Sequence, residues 1–300
     1  MIHRAPPAPR LPLLAVLAVL LTALLLPGTA AATGPEPLRI AILPCSEVTQ
    51  TFNKFQPLAA YLAKALSRPV VILVPRSFGE FERAVQKGET EFAFQSPHTY
   101  LRLADHYDRQ NLLKALTPRG TTSHHGVVVT RRDSGINRVA DLRGKKLIFG
   151  HPFSTDKWLA ARSLLEEAGI DITRDLADYS HEESCEASAL KVYLGMADAG
   201  MMCDYSFAAL QKNRTPREDE VPPDSLKVIA STWETPTWVF AARRSVDRKT
   251  ADAVNRALLK LDRHRTGHGQ LLEEIEAGGF SRAQDSDYDT LRKRLSAPRP

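Results

Sequence analysis

Short apolar runs alternate with stretches of helical apolar spacing along this chain from residue 38, and that alternation admits few folds. Leu38-Arg39-Ile40-Ala41-Ile42-Leu43 stops at Pro44 and reads as a strand, and Phe52 to Leu66 follows with helical spacing. Val70 to Val74 is a second strand, Phe81 to Gln86 a short helix turned at Gly88, and Phe92-Ala93-Phe94 a third strand. Buried strands linked by amphipathic helices build an α/β fold with a largely parallel sheet. Ligands of such sheets sit beyond the carboxyl ends of the strands. The segments there are Cys45 to Thr51, Arg76 to Gly79 and Gln95 to Tyr100.

The pattern then restarts. Gly126 to Thr130 and Leu147 to Phe149 are strand-like, a helix from Asp156 to Ala168 stops at Gly169, and a second helix covers Glu183 to Leu194. Ala197 to Met202 is a strand, Asn213 to Ser225 a polar surface loop, and Val228 to Ala230 and Trp238 to Ala241 two further strands; residues 246–300 read as helical with a break at Gly278-Gly279. Two such units joined by extended crossings predict two lobes, 38–130 and 131–231, around a cleft that closes by hinge motion. A two-lobed chain that must hinge freely is expected to be a monomer.

Residues 1–32 place Arg4 and Arg10 before an apolar run, Leu11 to Leu26, and then Thr29-Ala30-Ala31-Ala32. That order is a cleavable secretory signal peptide, and the run is shorter than the ~20 residues that span a bilayer. Its loss removes two arginines, so the formal charge falls from +5 to +3. Basic and acidic residues are interspersed, with no basic block and no interleaved aromatics, which excludes nucleic acid as the expected partner. An oxidising compartment makes pairing the expectation for Cys45, Cys185 and Cys203, with one left over. Cys185 and Cys203 are the closer pair, and a disulfide between them would stabilise the fold by about 3 kcal/mol. CxxC and CxxCH spacings are absent, so no metal or cofactor is expected.

In this order, several pieces resemble one family. They are Ile42-Leu43-Pro44, the stretch Ala84 to Phe94 with Pro97 and Tyr100, Asp133 to Ile136, Asp141 to Lys145, Ser154-Thr155, Ala168 to Asp171, Gly195 with Ala197 to Gly200, and Gly279-Phe280 with Asp287 to Asp289. Together they resemble the substrate-binding proteins of phosphate, phosphite and phosphonate ABC transporters across nearly the whole mature chain. The resemblance implies a type 2 periplasmic-binding fold in which 232–300 returns to the first lobe. It also implies a small anionic solute and a membrane permease as partners.

The family's phosphonate-binding element is a Ser-Thr-Ser loop opening a helix of the second lobe, and this chain has Ser154-Thr155-Asp156-Lys157. Hydroxyls and free N–H groups at a helix N-terminus suit an oxyanion. Asp156 either caps the helix and faces solvent, offset by Lys157, or excludes a phosphonate. Where the family places a histidine, this chain has Cys185, with His181 four residues earlier. A thiol lacks the charge-assisted hydrogen bonds of an imidazolium.

Ser96, His98 and Tyr100 follow the third strand, and Asp204 and Tyr205 follow the strand ending at Cys203, so these are further cleft candidates. His124 and His125 are adjacent on a strand and face opposite sides, which disfavours joint metal ligation. Of Trp158, Trp233 and Trp238, Trp233 is the candidate ligand wall.

Three functional classes follow. The first is a transport receptor for a small oxyanion. The second is a periplasmic sensor or accessory protein on the same fold, linked to a redox or metal state, motivated by the altered cleft and the unpaired thiol. The third is an enzyme with Cys45 as nucleophile and His98 or His181 as base; no nucleophile-elbow or zincin motif supports it.

Overall fold

A computed structural model describes residues 35–44, 47–182, 184–213 and 220–296. The expected signal segment and Cys45 lie outside the described residues.

Strand β1 (Leu38–Ile42) buries four of its five residues. Helix α1 (Val48–Leu66) turns Thr51, Phe55, Leu58, Ala59 and Leu62 inward, a helical stripe, and ends where Ser67 adopts a left-handed conformation. β2 (Val70–Leu73) follows. Ser77 caps α2 (Phe78–Lys87) by accepting from the Glu80 N–H at 3.2 Å, and Gly88 ends it at φ 76°, where glycine is favoured. Next come β3 (Phe92–Gln95), α3 (Pro97–Leu103), β4 (Tyr107–Leu116) and β5 (Ser123–His124). The second lobe contains β6 (Gly126–Arg131), β7 (Lys146–Phe149), α4 (Ala161–Glu167), β8 (Asp178–His181), α5 (Cys185–Tyr193), β9 (Ala199–Cys203), α6 (Asp204–Lys212) and β10 (Leu226–Ser231). The chain returns through β11 (Thr235–Pro236) to β12 (Val239–Arg243), α7 (Arg248–Leu259), α8 (His268–Glu274), β13 (Gly279–Ala283) and α9 (Asp289–Ser296).

The first sheet has the order β13-β4-β12-β3-β1-β2 and the second β10-β6-β9-β7-β8. Both are mixed, not largely parallel as the sequence suggested. Among the described residues only β1 with β2 and β3, and β7 with β8 and β9, pair in parallel; the strands next to the lobe crossings, β6 and β12, and the edge strand β13 pair antiparallel. The crossings themselves pair: Thr235 stands opposite His124 and Pro236 opposite Ser123.

Each sheet is covered on both faces. Phe55, Leu58, Val254, Leu258 and Leu272 pack one face of the first sheet, and Phe81, Leu103 and Tyr288 the other. Strand β6 shows why it belongs to the second sheet and not to residues 38–130: Val128 packs with Phe149 and Leu165, while Val127 and Val129 pack with Ala189 and Val192. The C-terminal segment is not wholly helical either, since Gly279–Ala283 adds an edge strand to β4. Among the described residues no helix is long and apolar enough to cross a membrane.

Candidate functional site

A cavity of about 410 Å³ lies between the two sheets. Ile42, Phe94, Ser96, Trp238 and the ion-paired Lys54 and Glu276 belong to its first-lobe wall, and His124, Ser154, Asp156, Lys157, Cys185 and Cys203 to the wall opposite. The second wall is assembled from the carboxyl ends of β7 and β9 and the helical segments that follow β7, β8 and β9, where open α/β sheets place ligands.

The chain leaves β7 at Gly150 and turns through Ser154 into a widened helical turn, Thr155–Ala160. The Leu159 N–H reaches back five residues to Ser154 O at 3.1 Å, a π-type bond of the kind that often marks functional positions. Ser154 Oγ accepts from the Lys157 N–H at 3.0 Å and donates to Asp156 Oδ1 at 2.6 Å. Asp156 does not face solvent: it is 7% exposed and lines the cavity. Its Oδ2 lies 3.3 Å from His124 Nε2 and accepts from Cys203 Sγ at 3.3 Å. Burial opposes the Asp156 charge, yet His124, Lys157 and Ser154 together hold its carboxyl far below the usual carboxylate range.

Cys185 opens α5 and Cys203 ends β9. Both are buried free thiols and not the expected disulfide. The Cys203 N–H donates to Cys185 Sγ at 3.2 Å, and Lys157 Nζ lies 3.8 Å from the same sulfur. Hydrogen bonding from Cys203 lowers the Cys185 thiol below its ordinary range; burial opposes this and the Lys157 charge adds to it. Hydrogen bonding to Cys185, burial and the Asp156 carboxylate push Cys203 up. At this spacing a thiolate and an ammonium attract by about 4 kcal/mol at an effective dielectric of 20.

Ligand atoms of His124, Asp156 and Cys203 lie within 4.8 Å of one another, compact enough for a metal triad. The hydrogen bond from Cys203 to Asp156 and the His124–Asp156 contact already account for that proximity.

Of the residues singled out from sequence, Ser96, Ser154, Asp156, Cys185 and Tyr205 line the cavity. Tyr205 is half-buried, and desolvation of its hydroxyl, with the neighbouring Cys203 and Cys185, pushes that group well above the usual range. Thr155 is buried behind the wall, accepting from the His98 N–H at 3.3 Å. Tyr100 is a core residue, fully buried, with its hydroxyl donated to Asp285 at 2.5 Å. His181 does not substitute for a cleft histidine: its Nδ1 meets Gly150 O at 2.7 Å and its ring packs edge-on against Trp158. Asp204 pairs with Arg119 outside the cavity. Trp233 lies under the Arg294 guanidinium, and Trp238 is the tryptophan on the wall.

Sequence reasoning missed Lys157, His124 and His151 as cavity residues. The signal for Lys157 was Gly150, where a Cβ would sit 2.4 Å from Lys157 Cβ; glycine leaves the lysine room to cross the strand end. His151 is held below the usual histidine range by burial and by the charges of His181 and Lys157. Phe153, on the same loop, stacks on Phe78 of the first lobe at 3.5 Å, and Ser96 Oγ donates to Phe153 O at 3.1 Å.

A family model described as the periplasmic substrate-binding protein of phosphonate ABC transporters matches residues 40–288. A tetrathionate sensor histidine kinase of Salmonella typhimurium is 28% identical over 73% of this chain, which spans 38% of the kinase's length. A phosphate-import protein of Mycolicibacterium smegmatis is 23% identical, covering 88% of this chain and 87% of its own. The crystal structure of a binding-protein component of a phosphonate ABC transporter from Pseudomonas aeruginosa superposes with a TM-score of 0.71 at 13% identity, covering 86% of this chain and 85% of that one.

Proposed function

The chain belongs to the periplasmic substrate-binding proteins of phosphonate ABC transporters, and we propose that it is a monomeric periplasmic receptor that captures a small oxyanion between its lobes for a membrane permease. The observation that carries this reading is the cavity wall itself, where the Lys157 ammonium, the Ser154 and Ser184 hydroxyls and His124 converge between the two sheets. An ammonium and hydroxyls on one cavity wall supply the charge-assisted and neutral donors that an oxyanion accepts from. Calorimetric titration of the mature protein with methylphosphonate, phosphate, sulfonates, thiosulfate and tetrathionate tests it. A saturable one-to-one heat with one of them supports the reading; heat from none of them contradicts it.

A second reading is favoured by one observation, the two thiols on the cavity wall. In it the guest is a sulfur oxyanion, and the receptor reports its presence to a sensory partner instead of a permease. The kinase relative is named for tetrathionate. The buried Asp156 supports the same reading, because a carboxylate beside the guest penalises a compact phosphonate dianion more than a longer anion whose charges lie at its ends. In the same titration, tetrathionate binding without methylphosphonate binding selects this reading, and the reverse rejects it.

A further inference from the structure

Cys185 and Cys203 are the features of the cavity wall that anion capture alone does not use. We infer that they form a dithiol that a polythionate, a sulfur oxyanion containing a sulfur–sulfur bond, oxidises stoichiometrically to a disulfide inside the cavity. The inference rests on the sulfur-oxyanion reading above and assigns that reading its chemistry.

The geometry supplies the parts. Both sulfurs belong to cavity-lining residues, so a guest reaches them without unfolding. The backbone N–H of one cysteine lies 3.2 Å from the sulfur of the other, so closing the pair calls for side-chain rotation and no relocation of β9 or α5. The Lys157 ammonium, 3.8 Å from Cys185 Sγ, attracts a dianion to that sulfur and offsets the charge of its thiolate. Cys203 is the resolving thiol, since its S–H is donated to Asp156 at 3.3 Å and remains protonated until needed. Cys185 opens a nine-residue helix, so its sulfur also sits at a positive dipole end.

With tetrathionate the steps balance. The Cys185 thiolate attacks one sulfur of the central S–S bond; that bond breaks, and one half leaves with the electron pair as thiosulfate. Cys185 then carries an S–SO3− group. Cys203 gives up its proton to solvent through the cavity and attacks the Cys185 sulfur, and the second half leaves as thiosulfate. Two thiols and one tetrathionate become one disulfide and two thiosulfates, with two protons released to solvent and two electrons passed from the thiols to the oxyanion.

The test uses the reduced mature chain carrying Cys45→Ser, treated with one equivalent of tetrathionate and followed by thiosulfate release, thiol titration and intact mass. The expected result is two thiosulfates per chain, both thiols lost and a mass lower by two hydrogens. Cys203→Ala should release one thiosulfate and retain an adduct on Cys185. Lys157→Met, confirmed folded by circular dichroism, should react about ten-fold more slowly, the low end of what a charged cleft adds to the capture of an oppositely charged guest. Tetrathionate that raises the unfolding midpoint of Cys185→Ser while both thiols of the parent stay intact overturns the dithiol inference and leaves the sulfur-oxyanion reading standing. Tetrathionate that neither binds nor reacts overturns both. Stoichiometric uptake of zinc that blocks both thiols against tetrathionate also overturns the inference, by making the pair a metal site.

Discussion

The Lys157 amino group lies 3.8 Å from the Cys185 sulfur, across 28 residues of sequence and two different helices. That contact depends on Gly150, over which the lysine crosses, and on Ser154, whose hydroxyl fixes the turn that carries it. It places a cation and a nucleophile on one wall of a cavity between two sheets.

Gly150→Ala should displace Lys157, because the new Cβ would fall 2.4 Å from Lys157 Cβ and the Gly150 N–H is bonded to Lys157 O at 3.1 Å. Overpacking of this kind costs about 1–3 kcal/mol. Urea unfolding should show that loss, and anion affinity should fall at least ten-fold. Unchanged affinity would remove Lys157 from the account.

Cys185 faces Lys157, Cys203 and Glu186, and hydrogen bonding from Cys203 with the Lys157 charge lowers its pKa against burial and Glu186. In a Cys45→Ser background, the pH midpoint of its alkylation should lie below the ~8.5 of an ordinary thiol. Lys157→Met should move the midpoint upward. A midpoint at the ordinary value in the parent would contradict the arrangement.

Asp156 is buried against His124, Ser154 and Cys203, so Asp156→Ala should destabilise the protein by about 3 kcal/mol, as removal of one partner from a buried charged network does. Its carboxyl pKa is lowered in the folded state. The stabilisation is therefore complete above the unfolded value of about 3.9 and is lost as pH falls below it. Denaturant titrations from pH 6 to pH 3 should show a shallower decline for Asp156→Asn than for the parent. Equal slopes would mean that the carboxyl is not held ionised.

Phe153 belongs to the second-lobe loop yet stacks on Phe78 of the first lobe. Phe153→Ala removes a contact between lobes and no cavity-wall hydrogen bond. Anion binding should weaken by about 1 kcal/mol, near the value of an aromatic pair, chiefly through faster dissociation in stopped-flow measurements. Accelerated association alone would contradict a closing role for this contact.

The sequence made the two α/β units readable because β1, β3 and β7 are short, nearly continuous apolar runs, and α1 and α2 carry helical stripes. It concealed β4 and β13. Tyr107–Leu116 places Asp108, Arg109 and Gln110 in a row, and Gly279–Ala283 is too short and polar to stand out from helical neighbours; both become strands by pairing with each other across a long separation. The site was legible where a local rule applied: Ser96 and Ser154 cap helices, and Cys185 and Tyr205 sit in the first turns of helices. His124 and Lys157 were not, because their roles arise only when β5, β9 and the Ser154 turn converge. Tyr100 misled for the opposite reason: a helix start beside a strand end brought its backbone near the cleft, while its side chain was drawn into the core by Asp285.

In the proposed function, the interlobe cavity holds a small oxyanion through Lys157. Thermal unfolding of the parent and of Lys157→Met, each with and without phosphate, methylphosphonate, thiosulfate and tetrathionate, tests it most directly. For the parent, one anion held at about 100 times its dissociation constant should add roughly 2.7 kcal/mol, several degrees in midpoint, and most of that gain should vanish in Lys157→Met. A parent midpoint unmoved by every oxyanion, or a gain retained in full by the variant, would contradict the account.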